Sequence, residues 1–135
     1  MPIVVFTTGS ILAVAPPIIV IDEPTTGLDW ADTVRMMTLI RRLHARGHTV
    51  LMITHNMEIV ADYAQRVILM NKGAVLLQAT PSDIFAHPEA LEQCHLVAPP
   101  VARLAHRLDN MGVPPTIATV DQMVAVFAPA EGRHV

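Results

Sequence analysis

The sequence predicts an α/β fold, and three observations predict it. Ile18-Ile19-Val20-Ile21 is an unbroken β-branched run, the pattern of a strand buried on both faces. Trp30–Arg46 carries apolar residues at helical spacing, with Val34, Met37, Ile40 and Leu43-His44 along one face. Thr49–Thr54 is a second apolar run of strand length. Strand, helix, strand in that order is a crossover unit, which puts both strands parallel in one sheet.

The remaining elements follow along the chain. Ile3–Ala15 is apolar, ambiguous between helix and strand in its first half, and broken by Pro16-Pro17. Residues 1–21 carry no charged side chain, and Ala13-Val14-Ala15 looks like a small-residue cleavage site. No basic segment precedes it, however, and Pro16 directly follows the would-be cut. A membrane helix would have to pass Thr7, Thr8, Gly9, Ser10 and both prolines. A buried helix leading into a buried strand is the better reading.

Asp22–Gly27 is a loop by its turn residues. On the Trp30–Arg46 helix, Arg35, Arg41, Arg42 and Arg46 cover the outer surface, three of them near the C-terminal end that favours cations. Gly47 is a natural stop. Asn56 or His55 starts a short helix to about Ala64. Arg66–Met70 and Ala74–Gln78 flank Asn71-Lys72-Gly73, which reads as a hairpin turn. Thr80 caps a helix with Pro81 at its first position, ending near His87-Pro88, and another helix covers Glu89–Cys94. Pro99-Pro100 opens a helical stretch with Val101, Leu104, Ala105 and Leu108 at helical intervals, closed by Gly112. After the rigid link Val113-Pro114-Pro115, Thr119 and Gln122 form a capping box for a last helix through about Phe127. Residues 129–135 read as a flexible tail.

Composition narrows the function classes. At 135 residues the chain has the size of one core or a piece of one. Its 52% hydrophobic content excludes disorder for most of the length, and with only 4% aromatics the core falls to aliphatic residues and eight methionines. A net charge of -3 argues against a nucleic-acid footprint. The single Cys94 excludes an intramolecular disulfide and fits a reducing compartment. His44 and His48 are four apart, but Gly47 interrupts the helix that would align them. His87, His95, His106 and His134 show no ligand-like spacing, so no structural metal is expected.

Chemistry is carried by Asp22-Glu23, which follow the first strand directly. Open α/β sheets place ligands at the C-terminal ends of their strands. Two carboxylates there are costly without a cation or a polar substrate. One acid suits Mg²⁺, a hard ion that prefers oxygen ligands and keeps its water. The other suits the orientation or deprotonation of a water attacking a phosphate. The bland alternative is an acid pair that caps the next helix or faces solvent. Thirty-two residues after Glu23, the second strand ends in His55.

Ile18–Asp29, IIVIDEPTTGLD, resembles the Walker B strand and D-loop of ABC-transporter ATPases, and Val50–His55 resembles their H-loop. Asp62–Gly73 and Thr80–Phe85 are similar to the strand, hairpin and helix that follow in that family. Leu96–Ala105 and Gly112–Pro115 look most like the ATPases of energy-coupling-factor transporters, which import vitamins or metal ions such as cobalt and nickel. The resemblance implies a partial P-loop NTPase parallel sheet with flanking helices and a small helical C-terminal extension. Residues 1–96 would be the C-terminal part of the ATPase domain and residues 97–128 the extension. It implies ATP and Mg²⁺ as cofactors, with Asp22 holding Mg²⁺ through water, Glu23 polarising the attacking water and His55 on the γ-phosphate. Asp29 would stand at a dimer interface. The implied partners are a second ATPase subunit and transmembrane transporter subunits, at the cytoplasmic face of the cell membrane.

The chain departs from the family pattern in what it omits. G-x-x-x-x-G-K-[ST] does not occur, because the only lysine, Lys72, lacks the spaced glycine and the following Ser/Thr. No Gly-Gly pair occurs, so the LSGGQ-type motif is absent too. Gly9–Val14 fits the place of the helix after that motif, whereas Met1–Thr8 departs from it. The sequence therefore reads as truncated and inactive alone, with an exposed apolar edge expected on Thr49–Thr54. The alternative reading is a non-catalytic interaction or dimerisation fragment of such an ATPase.

Overall fold

A computed structural model describes residues 16–128. The chain divides into two compact units, Met1–His55 and Asn56–Val135. The expectations for residues 3–15 and 129–135 lie outside the described residues.

In the first unit, β1 (Ile18–Asp22) and β2 (Thr49–Ile53) are joined by α1 (Trp30–Ala45). The strands pair in parallel from Ile18↔Thr49 to Asp22↔Ile53, as the strand–helix–strand order predicts. The pair continues one residue further, where the Glu23 N–H donates to the Ile53 carbonyl at 2.9 Å. Asp29 caps α1, its Oδ1 accepting from the Asp32 N–H at 2.8 Å. At the far end Gly47 adopts φ +94°, and the His48 N–H reaches back to the Leu43 carbonyl. That is the left-handed stop for which glycine has no steric cost.

Two burial expectations need correction. The inner face of α1 is Thr33, Met37, Ile40 and Leu43, whereas Val34 is 36% exposed. Either residue 33 or residue 34 is one turn before Met37. The inward place is taken by the first of them, Thr33. Nor is β1 buried on both faces. Ile19 is buried, but Ile18 and Leu51 are each 47% exposed and Ile53 is 53% exposed. Alternation explains the split. Ile19, Val50 and Met52 share the better covered face, and Ile18, Leu51 and Ile53 share the open one.

The second unit begins with α2 (Met57–Tyr63), capped by Asn56 Oδ1, which accepts from the Glu58 and Ile59 N–H groups. β3 (Val67–Asn71) and β4 (Ala74–Ala79) form an antiparallel hairpin with an irregularity between Leu69 and Met70. Lys72 at φ 49° and Gly73 at φ 78° are both left-handed, as a two-residue turn matched to strand twist requires. α3 (Pro81–Phe85) is capped by Thr80. Beyond α4 (Pro88–Gln93), His95 is a non-glycine at φ 57°, with the Leu96 N–H bonded to the Leu91 carbonyl.

α5 (Pro100–Arg107) stops earlier than expected. A 3₁₀ turn at Asp109–Met111 intervenes before Gly112 takes φ 86°. Its fully buried residues are Ala102 and Ala105, while Leu104 is 47% exposed, so the expected stripe is shifted. His106 Nε2–H donates to the Phe85 carbonyl at 2.9 Å, which fixes the rotation of α5. α6 (Val120–Phe127) starts with the complete capping box of Thr119 and Gln122. One core cluster joins Met57, Val60, Leu69, Ile84, Phe85, Ala90 and Leu91 to Ala102 and Ala118. Residues from beyond position 97 thus share a core with α2, β3 and α3. Burying Phe85, Ile84 or Leu91 from full exposure contributes about 1.5–3 kcal/mol each. Among the described residues, no helix is long and apolar enough to cross a membrane.

Candidate functional site

Backbone geometry brings the acid and the imidazole together. β1 and β2 are neighbours in register, so the residues just past their C-terminal ends, Glu23 and His55, emerge side by side. Glu23 then leaves the strand direction with φ 43°, a left-handed value that costs a non-glycine residue about 1–3 kcal/mol. Two turns follow, from the Thr26 N–H to the Glu23 carbonyl and from the Leu28 N–H to the Thr25 carbonyl. They return the chain to the Asp29 cap.

The Glu23 carboxylate is enclosed by donors. Oε1 accepts from His55 Nδ1 at 2.6 Å and from the His55 backbone N–H at 3.0 Å. Oε2 accepts from the Thr54 hydroxyl at 3.2 Å and from the Thr26 hydroxyl at 3.5 Å. Partial burial raises the Glu23 carboxyl, but the His55 ring and amide, then the charge of His55 and the Thr54 hydroxyl, outweigh it. The net effect holds it below its ordinary value. The His55 side chain is 76% exposed, so Nε2 remains accessible to a ligand while Nδ1 is engaged. A ring giving Nδ1–H to Glu23 donates from Nε2 as well only when it is an imidazolium.

The other two sequence-derived candidates sit differently. Asp22 ends β1 with an exposed side chain on the face shared with Ile18 and Val20. Its hard, hydrated oxygens fit an ion such as Mg²⁺, which is commonly held by one or two carboxylates together with phosphate and water. Among the described residues, no group of three or more His, Cys, Asp or Glu side chains is placed to hold a metal ion. Asp29 is exposed and already serves locally as the cap of α1. Thr54 and Thr26 escaped sequence reasoning. The only signal was a hydroxyl residue directly before His55 and another three residues after Glu23.

No protein-family model matches the chain. Curated relatives do. The chain is 42% identical over 117 residues to a protein of Caldanaerobacter subterraneus named as an ABC transporter ATP-binding protein, covering 87% of this chain and 20% of that one. A Methanosarcina mazei protein with the same description is 44% identical over 116 residues, with 85% and 20% covered. An energy-coupling factor transporter ATP-binding protein of Streptococcus pyogenes is 41% identical over 106 residues, with 78% and 38% covered. The chain thus spans between 20% and 38% of the length of these relatives. Likeness of this strength, over most of its own residues, shows that the chain is homologous to part of the length of proteins named ABC transporter ATP-binding proteins.

Proposed function

We propose that the chain supplies the Walker B, D-loop and H-loop portion of an ATP-hydrolysing subunit of an energy-coupling-factor-type importer. The observation that carries the reading is the Glu23–His55 pair, built at the C-terminal ends of two adjacent parallel strands. Ligands of open α/β sheets bind there. In this reading Asp22 holds Mg²⁺ through water, and the ion, when bound, neutralises phosphate charge. Glu23 orients and polarises the attacking water. His55, braced at Nδ1 by Glu23, presents Nε2 to a γ-phosphate oxygen. Asp29 faces the second ATPase subunit. Residues 1–96 belong to the ATPase portion and residues 97–128 to a helical extension. The partners are that second subunit and transmembrane subunits, at the cytoplasmic side of the membrane.

The phosphate-cradling motif does not occur in the 135 residues, so in this reading other polypeptide supplies it and the chain alone does not turn over ATP. The test is a chimera in which residues 16–128 replace the matching segment of the Streptococcus pyogenes energy-coupling factor ATP-binding protein. Retained MgATP hydrolysis, lost by at least about a hundredfold in Glu23→Gln, is the expected result. A chimera that binds ATP, but whose hydrolysis is absent or indifferent to Glu23→Gln, overturns the reading in favour of a non-catalytic interaction module.

A further inference from the structure

We infer that Thr54 is a positioning residue for Glu23: its hydroxyl holds Oε2 while His55 holds Oε1, fixing the plane of the carboxylate. The inference rests on the reading of Glu23 as the group that orients the attacking water. An ionised carboxylate has about four lone-pair sites. Here all four face donors, two on each oxygen.

The four contacts are unequal. The two from His55 and the one from Thr54 come from neighbouring residues at the end of β2, whose register with β1 is fixed by the ladder. Thr26 lies in the exposed turn, and its 3.5 Å contact is the longest of the set. A carboxylate that is to orient a water must give up one lone pair, and the longest contact yields first. Thr54 then becomes the sole protein anchor of Oε2, and water takes the place of the Thr26 hydroxyl. Without Thr54, Oε2 has no rigid partner, and the carboxylate can turn about its last torsion, whose preferences are broad.

The full 135-residue chain tests this by NMR, with no nucleotide needed. A through-hydrogen-bond coupling between the His55 amide nitrogen and the Glu23 carboxyl carbon reports the plane of the carboxylate. We expect the coupling in the wild type, its loss in Thr54→Val and its recovery in Thr54→Ser. A coupling unchanged in Thr54→Val overturns the positioning role and leaves the assignment of Glu23 standing. Absence of the coupling in the wild type overturns both. If Thr54→Val does not fold, the wild-type Thr54 hydroxyl proton decides alone. Exchange with water slowed at least about tenfold relative to an exposed threonine hydroxyl supports the role, and unprotected exchange overturns it.

Discussion

Glu23 and His55 are thirty-two residues apart in sequence and 2.6 Å apart in space, joined through Oε1 and Nδ1. Parallel pairing of β1 with β2 makes the meeting unavoidable, because each residue follows its strand at the same end of the ladder. The left-handed backbone at Glu23 then turns the carboxylate across to β2 rather than along the strand. Strain at such a position is sustained only when the surroundings over-determine it, and the donors on this carboxylate supply that.

Removing the imidazole should therefore destabilise the first unit in a pH-dependent way. Glu23 is held below its ordinary value of 4.5, so its contacts add stability above the unfolded carboxylate value. That stability is lost as pH falls through the lower folded value. His55→Ala is expected to cost a few tenths to about 1 kcal/mol at pH 7, since the imidazole is largely exposed. The cost should shrink towards zero in acid below the Glu23 transition. Urea unfolding followed by Trp30, the only tryptophan, reads the first unit directly. An equal cost at both pH values would show that Glu23 is not the partner that matters.

Asp62 gives the opposite sign. It stands near the C-terminal end of α2, where burial, then Asp121, then Glu58 raise its carboxyl above the ordinary value. Ionisation is thus a penalty in the folded state. The penalty is fully present above the folded value and disappears as pH falls below the unfolded one. Asp62→Asn should stabilise the second unit at neutral pH by roughly 0.3–1 kcal/mol, the scale of a removed charge at an unfavourable helix end. It should change nothing in acid. Hydrogen exchange of the Met57–Tyr63 amides measures this, and faster exchange in the variant at pH 7 contradicts it.

How much of this was legible in the sequence depended on the kind of signal. Caps read well because a side chain and its backbone target are close in sequence: Asn56, Thr80 and the Thr119–Gln122 box all form as their spacing predicts. The Asn71-Lys72-Gly73 hairpin read well for the same reason. Burial read less well. Ile18 and Ile19 are indistinguishable as residues, yet only Ile19 is buried, because the pleat assigns neighbours to opposite faces and the coverage of each face is a tertiary property. Thr33 takes the inward place expected of Val34, because helical periodicity leaves a face uncertain by one residue at its end. The Thr54 contact left only a hydroxyl residue beside His55 as its signal, since it depends on the bend of Glu23, which no local pattern encodes.

The open face of the first sheet predicts self-association. Ile18, Leu51 and Ile53 share one side of the β1–β2 pair, each close to half exposed or more. Contiguous apolar strand surface is an aggregation hazard. The double substitution Leu51→Thr with Ile53→Thr puts a β-branched strand former at both positions while lowering apolar area. It is expected to raise the monomer fraction in light scattering at fixed concentration. Unchanged association would place the sticky surface elsewhere.

The last prediction concerns nucleotide binding by the chain alone. Most of the affinity of a P-loop site comes from backbone N–H groups and a lysine that cradle the phosphates. No Gly-rich loop of that spacing occurs in these residues, and the single lysine, Lys72, sits in the β3–β4 hairpin turn at φ 49°. What remains is Asp22, Glu23 and His55, two acids and one imidazole. Toward a triphosphate the acids are repulsive unless Mg²⁺ intervenes, and Glu23 is already engaged by its own donors. A free energy of about -4 kcal/mol, a millimolar dissociation constant, is a generous ceiling for such a set. Calorimetric titration of the purified chain with MgATP should therefore give no saturable heat at micromolar ligand. Saturation in that range would mean that these residues contain a phosphate cradle of another kind.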